Sequence, residues 1–191
     1  MRTVLLLFFL VLSNFLRAQD KFVNSKNVIQ WQEGYLLQVD DFQKVRKEND
    51  SYSHTAYKIE FYPSEVLVDA NDYIQGYENL TVVAEFHMNK SHFHPDYEGD
   101  LLGYEQITFD IAELYARKIR KRFQELKEKK ERRFSLYNYE YNLLWKACLQ
   151  YQSDFNKATN NGWESEDAVT KWRLKINNEL NSLQEYAIKP L

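Results

Sequence analysis

The residues of this sequence best suited to chemistry are a group of histidines and a glutamate that follows them. Three of the four histidines, His87, His92 and His94, lie close together in the chain. In an extended segment His92 and His94 point to the same side, since side chains alternate along a strand. Imidazole nitrogens bind zinc, and a carboxylate can act as general base on zinc-bound water. A short loop leads on to Glu105, so one hypothesis is a metal-dependent hydrolase; the other is that these histidines lie in a polar loop.

The usual groups of nucleophilic catalysis are missing or poorly placed. The sequence contains no Gly-x-Ser-x-Gly segment and no glycine-rich phosphate loop. Its single cysteine, Cys148, lies on the apolar face of a predicted helix with no evident base near it, so we expect it in the core. One cysteine also excludes an internal disulfide.

Strands are predicted to position the histidines. Thr55, Tyr57, Ile59 and Phe61 alternate with Ala56, Lys58 and Glu60, and this period of two is typical of a strand. Residues 80–88 form a second run rich in β-branched and aromatic residues. Shorter candidates are 28–31 and 66–69.

Helices are predicted for the rest of the chain. Apolar residues at helical spacing indicate one long helix over about 101–132, which carries Glu105 at its start. A second helix is expected to end near Asn160-Asn161-Gly162, and a third follows Ser165. Strands followed by helices indicate an α+β fold, with an N-terminal antiparallel or mixed sheet followed by three long helices.

The start of the long helix resembles a known motif. Residues 105–118 read Glu-Gln-Ile-Thr-Phe-Asp-Ile-Ala-Glu-Leu-Tyr-Ala-Arg-Lys. This segment resembles a family of predicted secreted zinc-dependent proteases of Gram-negative bacteria, domain of unknown function 922, whose members read approximately His-Glu-Gln-x-His-Phe-Asp-Ile-Ala-Glu-x-Tyr-Ala-Arg-Lys. The resemblance implies a single zincin-like domain over residues 19–191. Weaker similarities lie at Trp31, Asp41-Phe42, Phe86, Ser91, 151–162 and Trp172.

The resemblance also implies where a zinc site would lie. In a His-Glu-x-x-His helix the two histidines, one turn apart, bind one Zn²⁺, and the glutamate acts on the bound water. Here Tyr104 and Thr108 stand at the histidine positions, Glu105 at the base position, and Asn161 at a later histidine position. Neutral hydroxyl and amide groups are poor zinc ligands. We therefore expect no zinc and no other cofactor, although intact members of the family would hold zinc.

The favoured hypothesis is a catalytically inactive homologue of a zinc metallopeptidase, in which Glu105 is a vestigial general base. The alternative is an active hydrolase with a relocated metal site, formed by His87, His92 and His94 near Glu105. Under the first hypothesis, three charged residues of the helix have structural roles: Asp110, Glu113 and Arg117, with both acids able to pair with the arginine. Tyr104 and Thr108 are expected to hydrogen-bond to each other or to Asn161.

The N-terminal segment predicts export. Residues 1–18 combine Arg2, an apolar run and an acceptable cleavage site between Ala18 and Gln19. The run is short for a membrane span, so we expect cleavage, a periplasmic location and no stable membrane insertion. The net charge of −3 does not favour nucleic-acid binding, which relies on neutralising phosphates. A peptide or an envelope protein is the expected kind of partner.

Overall fold

The structure, a computed structural model, describes residues 26–94, 101–163 and 166–188. The predicted signal peptide over residues 1–18 lies outside the described residues. The fold is α+β: two small antiparallel sheets precede three helices, as the order of the sequence patterns predicts. No helix within the described ranges has both the length and the apolar character that a membrane span requires.

The larger sheet has three strands in the order β1–β4–β3, where β1 is Val28–Gln30, β3 is Tyr57–Tyr62 and β4 is Thr81–His87. Both pairings are antiparallel, and their register sets Ile29 opposite Phe86 and Ile59 opposite Ala84. All four of these side chains are buried. The alternation in β3 therefore gives one face to the core, and the predicted strands near residues 28, 55 and 80 are confirmed.

A second, two-stranded sheet was not predicted from the sequence. Strand β2 (Ser53–His54) pairs antiparallel with β5 (His92–Phe93), so that His54 lies opposite His92. Strands of two residues have too little pattern to be recognised in a sequence, because alternation needs at least four positions. This sheet is nevertheless important, since it carries side chains to the candidate site.

The helical part of the fold consists of α1 (Leu101–Glu128), α2 (Phe134–Ala158) and α3 (Glu166–Ser182), and α1 packs on the larger sheet. Helix α1 is central and contacts β3, β4 and both later helices. Almost every residue from Tyr104 to Arg117 is buried, as is usual for a helix that has neighbours on all sides. The sequence prediction that Cys148 is a core residue is confirmed, because it is fully buried on α2.

One predicted helix end and one predicted strand are wrong, each for a local reason. Helix α1 ends at Glu128 rather than near 132, because Lys130 adopts a left-handed conformation (φ 57°) and the amide of Glu131 closes onto the carbonyl of Leu126 at 3.0 Å. The predicted strand over 66–69 is reduced to an isolated bridge between Val68 and Ile74. There the Asp69 carboxylate accepts two backbone amides, at 2.9 Å each, and so turns the chain.

Candidate functional site

The four positions at which the sequence predicts a vestigial site line one cavity. It lies at the start of α1, between β2, the end of α2 and the turn that follows α2, and it encloses about 690 Å³. The structure thus brings Tyr104, Glu105 and Thr108 together with Asn161, which is more than fifty positions away in the chain. The other lining residues are Ser51, Tyr52, Ser53, His54, Thr55, Tyr57, Leu101, Gln152, Asn156 and Trp163.

Tyr104 and Thr108 face α2, and their hydroxyl groups hydrogen-bond to two amide side chains of that helix. Since they are four residues apart, they lie one turn apart on the same face of α1. The Tyr104 hydroxyl donates to Asn156 Oδ1 at 2.7 Å. Gln152 Nε2 donates to the same Asn156 oxygen at 2.9 Å and to Thr108 Oγ1 at 3.2 Å. A neutral network of four side chains therefore joins the two helices across one side of the cavity.

The sequence prediction for these hydroxyls is only partly right. The Thr108 hydroxyl does bond to Tyr104, but to its backbone carbonyl, at 3.3 Å. The side-chain partners are Asn156 and Gln152 rather than Asn161, which lines the cavity from the turn. The sequence contains one signal for these missed residues. Gln152 follows Cys148 by one helical turn, so it interrupts the apolar stripe of α2 with a polar side chain that needs a buried partner.

The turn that follows α2 packs against the ring of Tyr104. Asn160, Asn161 and Gly162 all have positive φ (47°, 55° and 86°), a conformation that asparagine and glycine tolerate best. A Cβ atom on Gly162 would lie 3.0 Å from Tyr104 Cγ. The Tyr104 ring also stacks on Phe155, with the centroids 4.9 Å apart. Burial raises the pKa of Tyr104 above its usual value, so the phenol stays neutral at physiological pH.

Among the described residues that line the cavity, Glu105 is the only one with a carboxyl group. Its side chain is almost inaccessible, since the residue is 3% exposed. The Ser53 hydroxyl of β2 donates to Glu105 Oε1 at 2.5 Å. The Thr55 hydroxyl lies near enough to favour the charged form of Glu105. It does not, however, form a hydrogen bond of acceptable geometry with any group of the described residues. Burial outweighs these contacts and raises the pKa of Glu105, and the part of the lining that the structure describes contains no lysine or arginine to oppose it.

The donor set of the cavity does not fit zinc. Tyr104 is held in its neutral form, and the oxygens of Thr108 and Asn156 already belong to the network between α1 and α2. Among the described lining residues, the Glu105 carboxyl and the His54 imidazole remain, and zinc sites in proteins use three or four imidazole, thiolate or carboxylate ligands. Within residues 26–94, 101–163 and 166–188, no three His, Cys, Asp or Glu side chains are grouped so that they could hold a metal ion.

The three histidines of the alternative hypothesis each have a different neighbour. His87 Nε2 lies 3.8 Å from a carboxylate oxygen of Glu85, its neighbour on the same face of β4. His92 is buried in β5, with Nε2 3.0 Å from the carbonyl of Ser51. The ring of His94 lies 5.7 Å from that of Tyr52. These contacts do not assemble the predicted relocated site around Glu105.

His54 lines the cavity, and the sequence reasoning did not single it out. Its ring centroid lies 5.8 Å from that of His92, across the pairing of β2 with β5. Burial lowers the pKa of His54, and the neighbouring His92 acts in the same direction. At neutral pH the ring is therefore uncharged and adds a further neutral polar group to the cavity.

The charged residues farther along α1 have the structural role predicted for them, with one correction. Glu113 Oε1 accepts from Arg117 Nε at 2.9 Å and from Arg120 Nη2 at 2.5 Å, and all three side chains are buried. Arg117 Nη1 also donates to the carbonyl of Leu180 at 2.8 Å, which ties α1 to the end of α3. The predicted pairing of Glu113 with Arg117 is therefore confirmed.

The predicted pairing of Asp110 with Arg117 is wrong. Asp110 Oδ1 accepts instead from Trp31 Nε1 at 2.7 Å and from Gln106 Nε2 at 2.9 Å. Gln106 Oε1 in turn accepts the amide of Leu37 at 2.8 Å, so this second network fastens the N-terminal segment to α1. Burial raises the pKa of Asp110, because its partners are neutral donors that only partly replace water.

In the comparisons with known proteins, no protein family, no curated protein and no solved structure matches this chain. We therefore infer its function from the geometry of the cavity and from the chemistry of its lining.

Proposed function

We propose that this chain is an exported, zincin-like domain that binds a ligand of the cell envelope without cleaving it. In this proposal the cavity is the remnant of a metallopeptidase active site that has lost its zinc ligands. The observation that carries the proposal is the convergence of Tyr104, Glu105, Thr108 and Asn161 on one cavity. These positions come from a motif of the sequence, and nothing about their spacing requires Asn161 to meet the others.

The way in which the cavity is filled also supports loss of catalysis. A general base must reach a water or substrate proton. Glu105 is buried, and Ser53 already donates to one of its oxygens. The hydroxyls at the two motif positions are engaged with α2. We therefore assign Glu105 the role of a polar wall residue that is held by β2.

A binding role is supported by the size and shape of what remains. The cavity of about 690 Å³ lies within the range of small-ligand sites, roughly 300–1,000 Å³. Its lining mixes aromatic side chains with a few convergent polar groups, which is the usual composition of such sites. In this proposal the signal peptide over 1–18 delivers the domain to the periplasm, where peptides, polymers and proteins of the envelope are available as ligands.

The proposal is tested by restoring the histidines. The triple variant Tyr104→His, Thr108→His and Asn161→His should gain a zinc site, because the three side chains would point into one cavity. A matched control is Val45→His, Tyr139→His and Leu174→His, which places one exposed histidine on each of three different segments: the loop before β2, helix α2 and helix α3. Competition with a chromophoric chelator should give the cavity variant at least tenfold tighter zinc binding, about 1.4 kcal/mol, than the control.

The wild-type protein provides the second half of this test. Metal analysis of the purified mature chain should find no stoichiometric zinc, and a general protease assay should find no activity that a chelator abolishes. Stoichiometric zinc with chelator-sensitive proteolysis would overturn the proposal. Equal zinc affinity of the cavity variant and the surface control would refute the convergence on which it rests.

A further inference from the structure

Helix α2 carries an exposed apolar stripe that does not belong to the core. Its members follow one another at intervals of three or four residues, so they lie on one side of the helix: Leu136, Tyr139, Leu143 and Ala147. Tyr139 is 62% exposed and Leu143 is 52% exposed. The core-facing side of α2 is a different one, which buries Cys148 and Phe155 completely. The stripe is therefore a surface feature that the packing of this chain does not explain.

The charged side chains beside the stripe do not oppose its burial. Glu140, on one flank, accepts from Arg122 Nε at 3.1 Å and from Arg122 Nη2 at 2.6 Å, so it has its own counter-charge. Lys146, on the other flank, is exposed. A lysine can lay its methylene stem on an apolar surface and hold its ammonium group over an aromatic ring. The stripe can thus be covered without removing the counter-charge of Glu140 or burying the ammonium group of Lys146.

The stripe is complementary to an antiparallel copy of itself. When a second α2 crosses Leu143 with a two-fold axis at that level, residues equally far before and after Leu143 come to the same height. Tyr139 then enters a hole bounded by four residues of the second copy: Leu143, Lys146, Ala147 and Gln150. This spacing of i, i+3, i+4 and i+7 is the one that receives a side chain in coiled coils. Ala147 leaves room for the tyrosine ring, and the Lys146 ammonium group reaches its face.

Charges near the two ends of α2 are complementary in the same arrangement. Arg132 and Asp154 lie equally far from Leu143 in the sequence, so the arginine of each copy comes to the level of the aspartate of the other. Both residues are exposed. Asp154 Oδ1 accepts only from the neutral amide of Gln150, at 2.9 Å, which leaves its negative charge uncompensated. Antiparallel packing also brings the positive end of one helix dipole beside the negative end of the other.

These features identify the partner that the stripe fits. We propose that the chain forms a weak two-fold symmetric dimer, in which α2 packs antiparallel against α2 of a second copy with Leu143 on the axis. Knob, hole and both charges belong to the same helix, as an interface between identical surfaces requires. One helix from each copy buries little compared with the roughly 800 Å² per partner of a stable interface, so the association is weak. This inference goes beyond the proposed function and does not depend on it.

Disulfide trapping on the full mature protein tests the position of the axis. Leu143→Cys places a thiol on the two-fold, next to the same thiol of the second copy, where a disulfide can form. The control Leu174→Cys places a thiol on α3 at a residue that is 59% exposed, close to the 52% of Leu143. The native Cys148 is buried and stays in both variants. Under the same oxidant, Leu143→Cys should form covalent dimer at least tenfold faster than Leu174→Cys, as measured on non-reducing gels.

Sedimentation equilibrium measures the association without a cross-link. The wild-type protein should dimerise with a Kd between about 10 μM and 1 mM. Tyr139→Ser and Asp154→Arg should each weaken the dimer, the first at least tenfold, and the charge swap that combines Arg132→Asp with Asp154→Arg should restore what Asp154→Arg loses. The inference is overturned if the wild type stays monomeric throughout this range, if both cysteine variants cross-link at the same rate, or if the charge swap restores nothing. None of these results bears on the zinc measurements, so the two proposals fail separately.

Discussion

Gly162 lies directly against the ring of Tyr104, so Gly162→Ala perturbs the wall of the cavity without removing any of its polar groups. The new Cβ atom would lie 3.0 Å from Tyr104 Cγ and 3.1 Å from Leu101 Cδ1. It would also belong to a residue with φ 86°, a conformation that costs an L-residue roughly 1–2 kcal/mol. Forcing extra volume into a packed site typically costs about 1–3 kcal/mol more. We therefore expect the free energy of unfolding to fall by about 2–5 kcal/mol in total.

Gly34 provides a matched control for the backbone part of this loss. Its φ is 83°, but no atom lies within 4 Å of the position that its Cβ would occupy. Gly34→Ala should therefore cost only the roughly 1–2 kcal/mol of the left-handed conformation. Urea denaturation followed by circular dichroism would measure both variants, and the difference between them isolates the contact with Tyr104 and Leu101.

A double-mutant cycle sharpens this test. In a Tyr104→Ala background, most of the atoms that the new Cβ meets are gone, so the loss caused by Gly162→Ala should approach the loss caused by Gly34→Ala. Equal losses for Gly162→Ala and Gly34→Ala in the wild-type background would refute the packing of this turn on Tyr104. That result would also remove the reason for placing Asn161 beside the two motif positions.

Two further predictions concern buried carboxyl groups. Glu113→Ala should lower the free energy of unfolding by about 3–5 kcal/mol, because Arg117 and Arg120 lose a shared partner in the core. The control is Glu60→Ala, which removes one partner of an exposed ion pair and should change the free energy of unfolding by less than about 1 kcal/mol. Urea titrations would measure both. Because the pKa of Glu105 is raised, the folded wild type binds this proton more tightly than the unfolded chain does, and it loses stability as the proton leaves. Glutamine carries no such proton. Relative to wild type, Glu105→Gln should therefore become increasingly stable as pH rises from about 4. Melting temperatures of both proteins between pH 4 and 8 would reveal this trend, and a constant difference across the range would contradict it.

Long, periodic segments were predictable from the sequence, and short ones were not. The three helices and the strands β1, β3 and β4 lie close to their predicted positions, because burial of one face repeats often enough to be recognised. The end of α1 was predicted too late, since charged residues continue a helical pattern even where the chain leaves the helix at Lys130. The two-residue strands β2 and β5 leave no periodic trace, although β2 carries Ser53 to Glu105.

For the candidate site, the sequence alone determined which residue types are present: a glutamate flanked by a tyrosine and a threonine at helical spacing, in a segment that resembles a zinc-protease motif but lacks its histidines. Tertiary structure alone decided which groups meet them. Asn156 and Gln152 reach Tyr104 and Thr108 because α2 packs against α1 at that level. The physical reason is that hydrogen bonds between elements depend on the angle and register of packing, which many distant side chains set together and which no local spacing encodes.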